Sequence, residues 1–264
     1  MALVLATNAF GQPKAESTPG DTGSDLLRTK LETRIRDIAD KFDGVMGVAI
    51  LDMTDGRIFS LNADRVFSTA SSIKIAVLVE LYRQDQETRS GAKGKARLDD
   101  TYTFDPKDLV EDSRIMAGPT AGVTHVTNRD LAQFMVAVSD NAAANILIVR
   151  LLEAIYKGKV LNNEETAALT KQLSTLKQSY IPRLLPENVQ VANKPGELEA
   201  VRTDSGIVFA TNRPFAICVM TAYDRDERAA ERAISEVALE AYRYFEMRGK
   251  TSEYGRALPQ AEKR

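Results

Sequence analysis

Val45-Met-Gly-Val-Ala-Ile-Leu-Asp-Met53, Thr54-Asp55-Gly56 and Arg57-Ile-Phe-Ser-Leu61 decide the architecture. The first run is strand-like, the middle three residues are a hairpin signal, and the last run returns as a second strand. Toward the N-terminus, Leu26, Leu27, Leu31, Ile35 and Ile38 recur at helical spacing from about Asp25, with Ser24 as the N-cap and Gly44 as the stop. Toward the C-terminus the chain turns helical over 72–84, 127–138 (Thr127 as N-cap), 142–156 and 164–176. Strands then return at 189–193, 203–211 and 215–223, the last two joined by Asn212-Arg213-Pro214. A helix over 227–247 closes the pattern, with Ala230, Ile234, Val237, Ala238, Ala241 and Phe245 on one face. The expected fold class is α+β. One antiparallel sheet is built from both termini and flanked by helices, and an all-helical lobe is inserted between its strands. The α/β lobe takes 25–66 and 187–248 and the helical lobe 67–186, with a cleft between them as the natural place for a site. Residues 249–264 form a charged tail expected to fray.

Composition narrows the function classes. The chain has 264 residues, 44% apolar and 27% charged, with net charge −2 from 35 basic and 37 acidic residues. That suits a packed soluble core and gives nucleic-acid binding no electrostatic support. No apolar run reaches bilayer-spanning length. With one cysteine, Cys218, there is no intrachain disulfide, and its apolar neighbours make it a buried, inert thiol. With one histidine, His125, a His–His metal site is excluded and a Ser-His-Asp triad would depend on that residue alone. Neither a metal nor a cofactor is expected. Met1-Ala2-Leu3-Val4-Leu5-Ala6, followed by the small residues around Ala9-Phe10-Gly11, resembles the end of a signal peptide without its basic start. The start is read as truncated, 1–24 as remnant and disordered leader, and the protein as periplasmic or secreted and monomeric.

Three short motifs carry chemistry. Ser71-Ser72-Ile73-Lys74 heads a dense apolar helix. Ser at i and Lys at i+3 share a face, a desolvated lysine can take a serine's proton, and helix-start N–H groups suit an oxyanion. The bland alternative is an N-cap with a surface lysine. Ser139-Asp140-Asn141 lies at a helix junction, where it is either a cap cluster or a hydroxyl relay beside an amide that holds substrate. Lys194-Pro195-Gly196, followed by Glu197, ends a strand and is either a turn or a cationic, closely approachable edge.

In this order and setting the three resemble the Ser-x-x-Lys, Ser-Asp-Asn and Lys-Thr-Gly set of class A β-lactamases and penicillin-binding proteins. The resemblance runs from about Asp25 to Phe245 and includes Lys194-Pro-Gly-Glu-Leu-Glu-Ala-Val-Arg-Thr-Asp-Ser-Gly-Ile-Val208. It implies a β-lactamase/transpeptidase-like fold and a small β-lactam or cell-wall-peptide-like substrate. It also implies roles: Ser71 is the acylated nucleophile, Lys74 its proton acceptor, and Ser139 the relay to the leaving nitrogen. Asn141 binds the substrate amide, and Lys194 attracts its carboxylate beside Gly196. The N–H groups of Ser71 and Glu197 form the oxyanion hole, and Arg202 is a further carboxylate partner.

Two departures qualify that reading. Only 53 positions separate Asn141 from Lys194, and the Glu-x-x-Leu-Asn of the family's Ω loop, whose glutamate activates the deacylating water, is missing. Asn141 to Ile148 runs straight into Val149 to Tyr156, as if two helices were spliced. Glu153, Glu164 and Glu165 read as solvated helix residues. The second departure is Pro195, which removes a hydroxyl and an N–H and suits only a sheet edge. The expected activity is therefore acylation at Ser71 with impaired deacylation. The alternatives are a penicillin-binding D,D-peptidase or esterase, and a degenerate binding or sensor protein.

Overall fold

A computed structural model describes residues 23–93, 95–103, 120, 122–137 and 161–258. Helix α1 (Gly23–Lys41) leads into strands β1 (Val45–Asp52) and β2 (Ile58–Leu61). A 3-10 turn (Ala70–Ile73) then runs into α2 (Lys74–Arg89). Strands β3 (Thr101–Thr103) and β4 (His125–Thr127) pair before α3 (Asn128–Ala137), and α4 (Asn163–Leu173) and a second 3-10 turn (Ile181–Leu184) follow. Strands β5 (Val191–Leu198), β6 (Val201–Val208) and β7 (Phe215–Ala222) precede α5 (Glu227–Arg248).

The sheet is antiparallel in the order β2-β1-β7-β6-β5, so strands from both ends of the chain share it, as the sequence pattern implies. Alternation sorts its side chains. Met46, Val48, Ile50, Ile217 and Val219 pack on α1 and α5 through Leu31, Ile35, Ala230, Ile234, Val237 and Phe245. Ala49, Leu51, Ala192, Ile207, Cys218 and Met220 pack on the α2, α3 and α4 residues Ile75, Leu78, Val136, Leu169 and Leu173. Cys218 is buried there beside Ser205, and burial pushes its thiol up to about 12.

Several boundaries differ from the sequence reading, each for a local reason. Ser24 lies inside α1, buried, where its N–H donates to Glu253 O, so it is not the cap. That contact exists because residues 249–258 fold back: Thr251 bridges Ala257 and Leu258 N donates to Lys250 O. This stretch of the charged tail is pinned rather than frayed. The Thr127 cap is present, as a reciprocal pair in which Thr127 N donates to Asp130 Oδ2 and Asp130 N to Thr127 Oγ1. Helix α4 stops at Leu173, three residues early, and Leu176 is exposed. The 142–156 helix lies outside the described residues. The largest difference is β5. It continues through Lys194-Pro195-Gly196 to Leu198, so this motif lies within a strand. That strand is the sheet edge, the place where proline is tolerated.

Candidate active site

Ser71 does not start a regular α-helix. It lies in the 3-10 turn, 1% exposed, with Ala70 before it at φ +45°. Lys74, three residues on, closes the turn and begins α2, and that spacing puts it on the same side of the turn as Ser71. The turn is pressed onto the sheet. A Cβ added to Gly196 would lie 2.5 Å from Ser71 N, 2.6 Å from Thr203 Oγ1 and 2.8 Å from Ala70 Cβ, so only glycine lets β5 reach the nucleophile's backbone.

A buried hydroxyl pair fixes this contact. Ser72 Oγ donates to Lys194 O at 3.1 Å, Thr203 Oγ1 donates to Thr69 O at 3.0 Å, and the two hydroxyls are 3.0 Å apart. Each hydroxyl has one proton, so the three contacts share two protons and the turn is held through either arrangement. Thr203 pairs with Gly196 in the β5–β6 register, which puts its side chain on the Ser71 face.

Lys194, on the same face as Gly196, is 2% exposed and its Nζ donates to Pro195 O at 2.9 Å. Burial, and after it the nearby Lys74 ammonium, hold Lys194 down to about 8; Lys177 adds to this, and Asp204 and Glu197 oppose it. The field of Lys74 at Lys194 puts the two amines in one neighbourhood. Lys177 is likewise held at about 8 by burial, while its Nζ donates to Leu173 O and Thr175 O at the end of α4.

The other face of β5 and β6 is equally ordered. Asp204, fully buried, accepts from Tyr180 N, Ile181 N and Asn193 Nδ2, all at 2.9 Å. Tyr180, anchored in this way, donates its phenol to Glu197 Oε1 at 2.5 Å.

The structure thus brings Ser71, Lys74, Lys194 and Gly196 together, with Glu197 next along the edge. Ser139 and Asn141 lie outside the described residues. Arg202 is opposite Glu197 in register and so projects from the face away from Ser71, where it pairs with Glu227 at 2.5 Å and Glu231 at 3.4 Å. Glu164 is exposed, as expected, but Glu165 is not a solvated residue: it is 2% exposed and lies 3.1 Å from Arg89, with its pKa raised chiefly by burial. Arg89 ends α2 and Lys74 begins it, a rise of about 22 Å, so Glu165 stands far from the nucleophile. Glu153 lies outside the described residues. His125 is exposed on β4 with Nδ1 3.0 Å from Thr103 Oγ1. Among the described residues no group of three or more His, Cys, Asp or Glu is placed to hold a metal, and no helix is long and apolar enough to cross a membrane.

Sequence reading missed Thr203, Asp204, Tyr180 and Lys177. The signal for two of them was Thr203-Asp204-Ser205, three polar residues running into the apolar Ile207-Val208 of one strand.

The Lys194 shift has a measurable consequence. The folded chain gives up this proton near pH 8, whereas an unfolded lysine keeps it to about 10.5. Between these values the unfolded state binds more protons, so stability rises with pH across the window and is lost as pH falls through 8. Urea unfolding at pH 7.5 and pH 10 is expected to show wild type gaining on the order of 2 kcal/mol relative to Lys194→Met; equal gains in both proteins would contradict the assignment.

Comparisons with known proteins bear on the family and the fold. A family model described as the beta-lactamase enzyme family matches residues 30–151 and 148–245. Beta-lactamase 1 of Streptomyces cacaoi is 30% identical over 124 residues, which are 46% of this chain and 37% of that protein, so the matched stretch spans little more than a third of the relative. The β-lactamase structure from Sphaerobacter thermophilus superposes with TM-score 0.72 at 19% identity, over 81% of this chain and 96% of that one. PBP-A superposes with TM-score 0.70 at 19% identity, over 83% and 96% of the two chains. A PBP-A point mutant, solved as an acyl-enzyme with penicillin G, gives TM-score 0.70 at 19% identity over 83% and 97%. These structural likenesses show a shared fold.

Proposed function

The chain belongs to the beta-lactamase enzyme family, a family of serine hydrolases, and on that premise we propose that Ser71 is acylated by β-lactams and that the resulting ester is hydrolysed slowly. Lys74, once it has given up its own proton, takes the proton from Ser71 Oγ as that oxygen bonds to the lactam carbonyl carbon. The alkoxide so formed is met by the N–H groups of Ser71 and Glu197. Collapse breaks the C–N bond, and the proton held on Lys74 passes through the Ser139 hydroxyl to the leaving nitrogen. Asn141 holds the substrate's amide side chain. The observation that carries this reading is the approach of Gly196 to Ser71 N, 2.5 Å from where a Cβ would stand, which seats the serine against a strand edge that substrate can lie along.

Deacylation needs water and a base. The short interval between Asn141 and Lys194, which holds no Glu-x-x-Leu-Asn, supports the loss of the segment that carries the family's deacylating glutamate. Glu165, which is buried beside Arg89, is spaced from Ser71 by the length of α2. Without general-base help the ester is expected to survive about 10²–10⁴-fold longer than in an enzyme that has it. Mixing the protein with penicillin G and recording intact mass over minutes to hours tests this. A persistent adduct of one penicillin per chain is expected. Fast turnover with no adduct defeats the slow-hydrolysis proposal, and neither adduct nor turnover defeats acylation itself.

A further inference from the structure

On the sheet face opposite Ser71, α1 and α5 lie side by side and antiparallel, with Arg34 bonded to Glu240 and Leu27 beside Met247. Leu27 and Leu31 of α1 and Tyr244 and Met247 of α5 line a slot of about 160 Å³ between them. Leu31 is buried and Met247 is 48% exposed, so the slot grades from a dry floor to an open mouth. Its end is fixed by the folded-back tail. Ser24 N donates to Glu253 O at 3.2 Å and Thr251 Oγ1 to Met247 O at 3.0 Å, which ties the start of α1 and the end of α5 to it. A preformed slot loses little to ordering when it binds.

The charges around the slot are lopsided. Lys30, Arg34 and Arg243 line it against a single carboxylate, Glu240. That carboxylate is shared: Arg243 Nη1 lies 2.6 Å from Oε1 and Arg34 Nε 3.4 Å from Oε2. Among the described residues Lys30 has no ion pair. Burial raises the Tyr244 pKa and keeps the phenol uncharged. The wider groove that continues past Arg34 to Ile38 and Phe42 is lined by five basic and five acidic side chains and has no such bias.

We infer that this slot binds an amphiphilic anion, an alkyl or arylalkyl carboxylate, with its tail against Leu27, Leu31, Tyr244 and Met247 and its head among Lys30, Arg34 and Arg243. The site is independent of acyl transfer at Ser71. Apolar contact supplies the affinity and the excess of cations selects the sign of the head group.

Sodium octanoate below its micelle concentration is titrated calorimetrically into the full chain, with octanol as the tail without the charge and acetate as the charge without the tail. One octanoate per chain is expected, bound more tightly than either control. Arg243→Gln is expected to weaken octanoate about fivefold at low salt and to leave octanol unchanged, and about 0.5 M salt to remove most of that difference. Met247→Ala is expected to weaken octanoate and octanol alike, about tenfold. Both residues are exposed, so neither change threatens folding. Lys194→Met, at the Ser71 cleft, is expected to bind octanoate as wild type does. No octanoate binding, octanol binding as tight as octanoate, or loss of octanoate binding in Lys194→Met overturns the inference. Unchanged affinity in both Arg243→Gln and Met247→Ala puts the ligand elsewhere and overturns it as well. A protein that ignores octanoate but sediments with phosphatidylglycerol vesicles has a lipid-facing surface here instead, which also overturns it.

Discussion

Replacing Ser71 by alanine is expected to abolish the penicillin adduct while leaving the urea midpoint near that of wild type. The bonds that hold the turn run through its neighbours, Ser72 Oγ to Lys194 O and Thr203 Oγ1 to Thr69 O. The 71 position supplies the nucleophile, and its backbone N–H survives the change. Loss of acylation should exceed about 10³-fold, because the attacking oxygen itself is gone. Ser72→Ala gives the opposite profile. It removes a buried donor shared by β5 and the turn, which should cost about 1–2 kcal/mol of stability and slow acylation without preventing it. The two adjacent serines therefore separate chemistry from support. A Ser71→Ala protein that still gained the mass of penicillin would move the nucleophile elsewhere.

The second large effect is on folding. Asp204→Ala removes one buried carboxylate and leaves Tyr180 N, Ile181 N and Asn193 Nδ2 without the acceptor that each now reaches at 2.9 Å. Several buried donors unmet at once should cost about 3–5 kcal/mol. Asp204→Asn keeps one acceptor oxygen and should lose markedly less. Burial raises the Asp204 pKa, and its four hydrogen-bond and charge partners, with Ile181 N first, oppose the rise without cancelling it. Urea unfolding of the two variants checks this; equal midpoints for Asp204→Ala and wild type would show that the loop at 180–181 needs no such anchor. The same substitution frees Tyr180, and through it Glu197.

The fold was legible where one signal dominated. Thr54-Asp55-Gly56 sets a hairpin by itself, Gly56 having φ +77°, and apolar runs on both sides fix which face is buried. The helix at 227–248 was legible because its apolar stripe recurs over six turns and Asp226 caps it, accepting from Arg228 N and Ala229 N. Lys194-Pro195-Gly196 was read as a strand end because proline and glycine commonly punctuate a strand. What keeps it a strand is tertiary: one ladder to β6, and the Ser71 turn pressed against Gly196. For the site, Ser71, Lys74, Lys194 and Gly196 were singled out by the order of three motifs and their resemblance to the family's set, each motif being ambiguous by itself. The roles of Thr203 and Asp204 depend on strand register, and neighbours in register lie far apart in sequence. Arg202 shows the same limit: one residue of register separates the Ser71 face from the α5 face, and composition cannot tell which side an arginine takes.

Pro195 has a consequence beyond the chemistry at Ser71. An outermost strand with a full set of unpaired peptide groups is a template on which another molecule can build, and through it oligomers and aggregates grow. Proline in the middle of this strand, between buried Lys194 and Gly196, leaves the template one donor short at its centre. The residue that departs from the family's motif thereby also removes one pairing group from the outermost strand of the sheet.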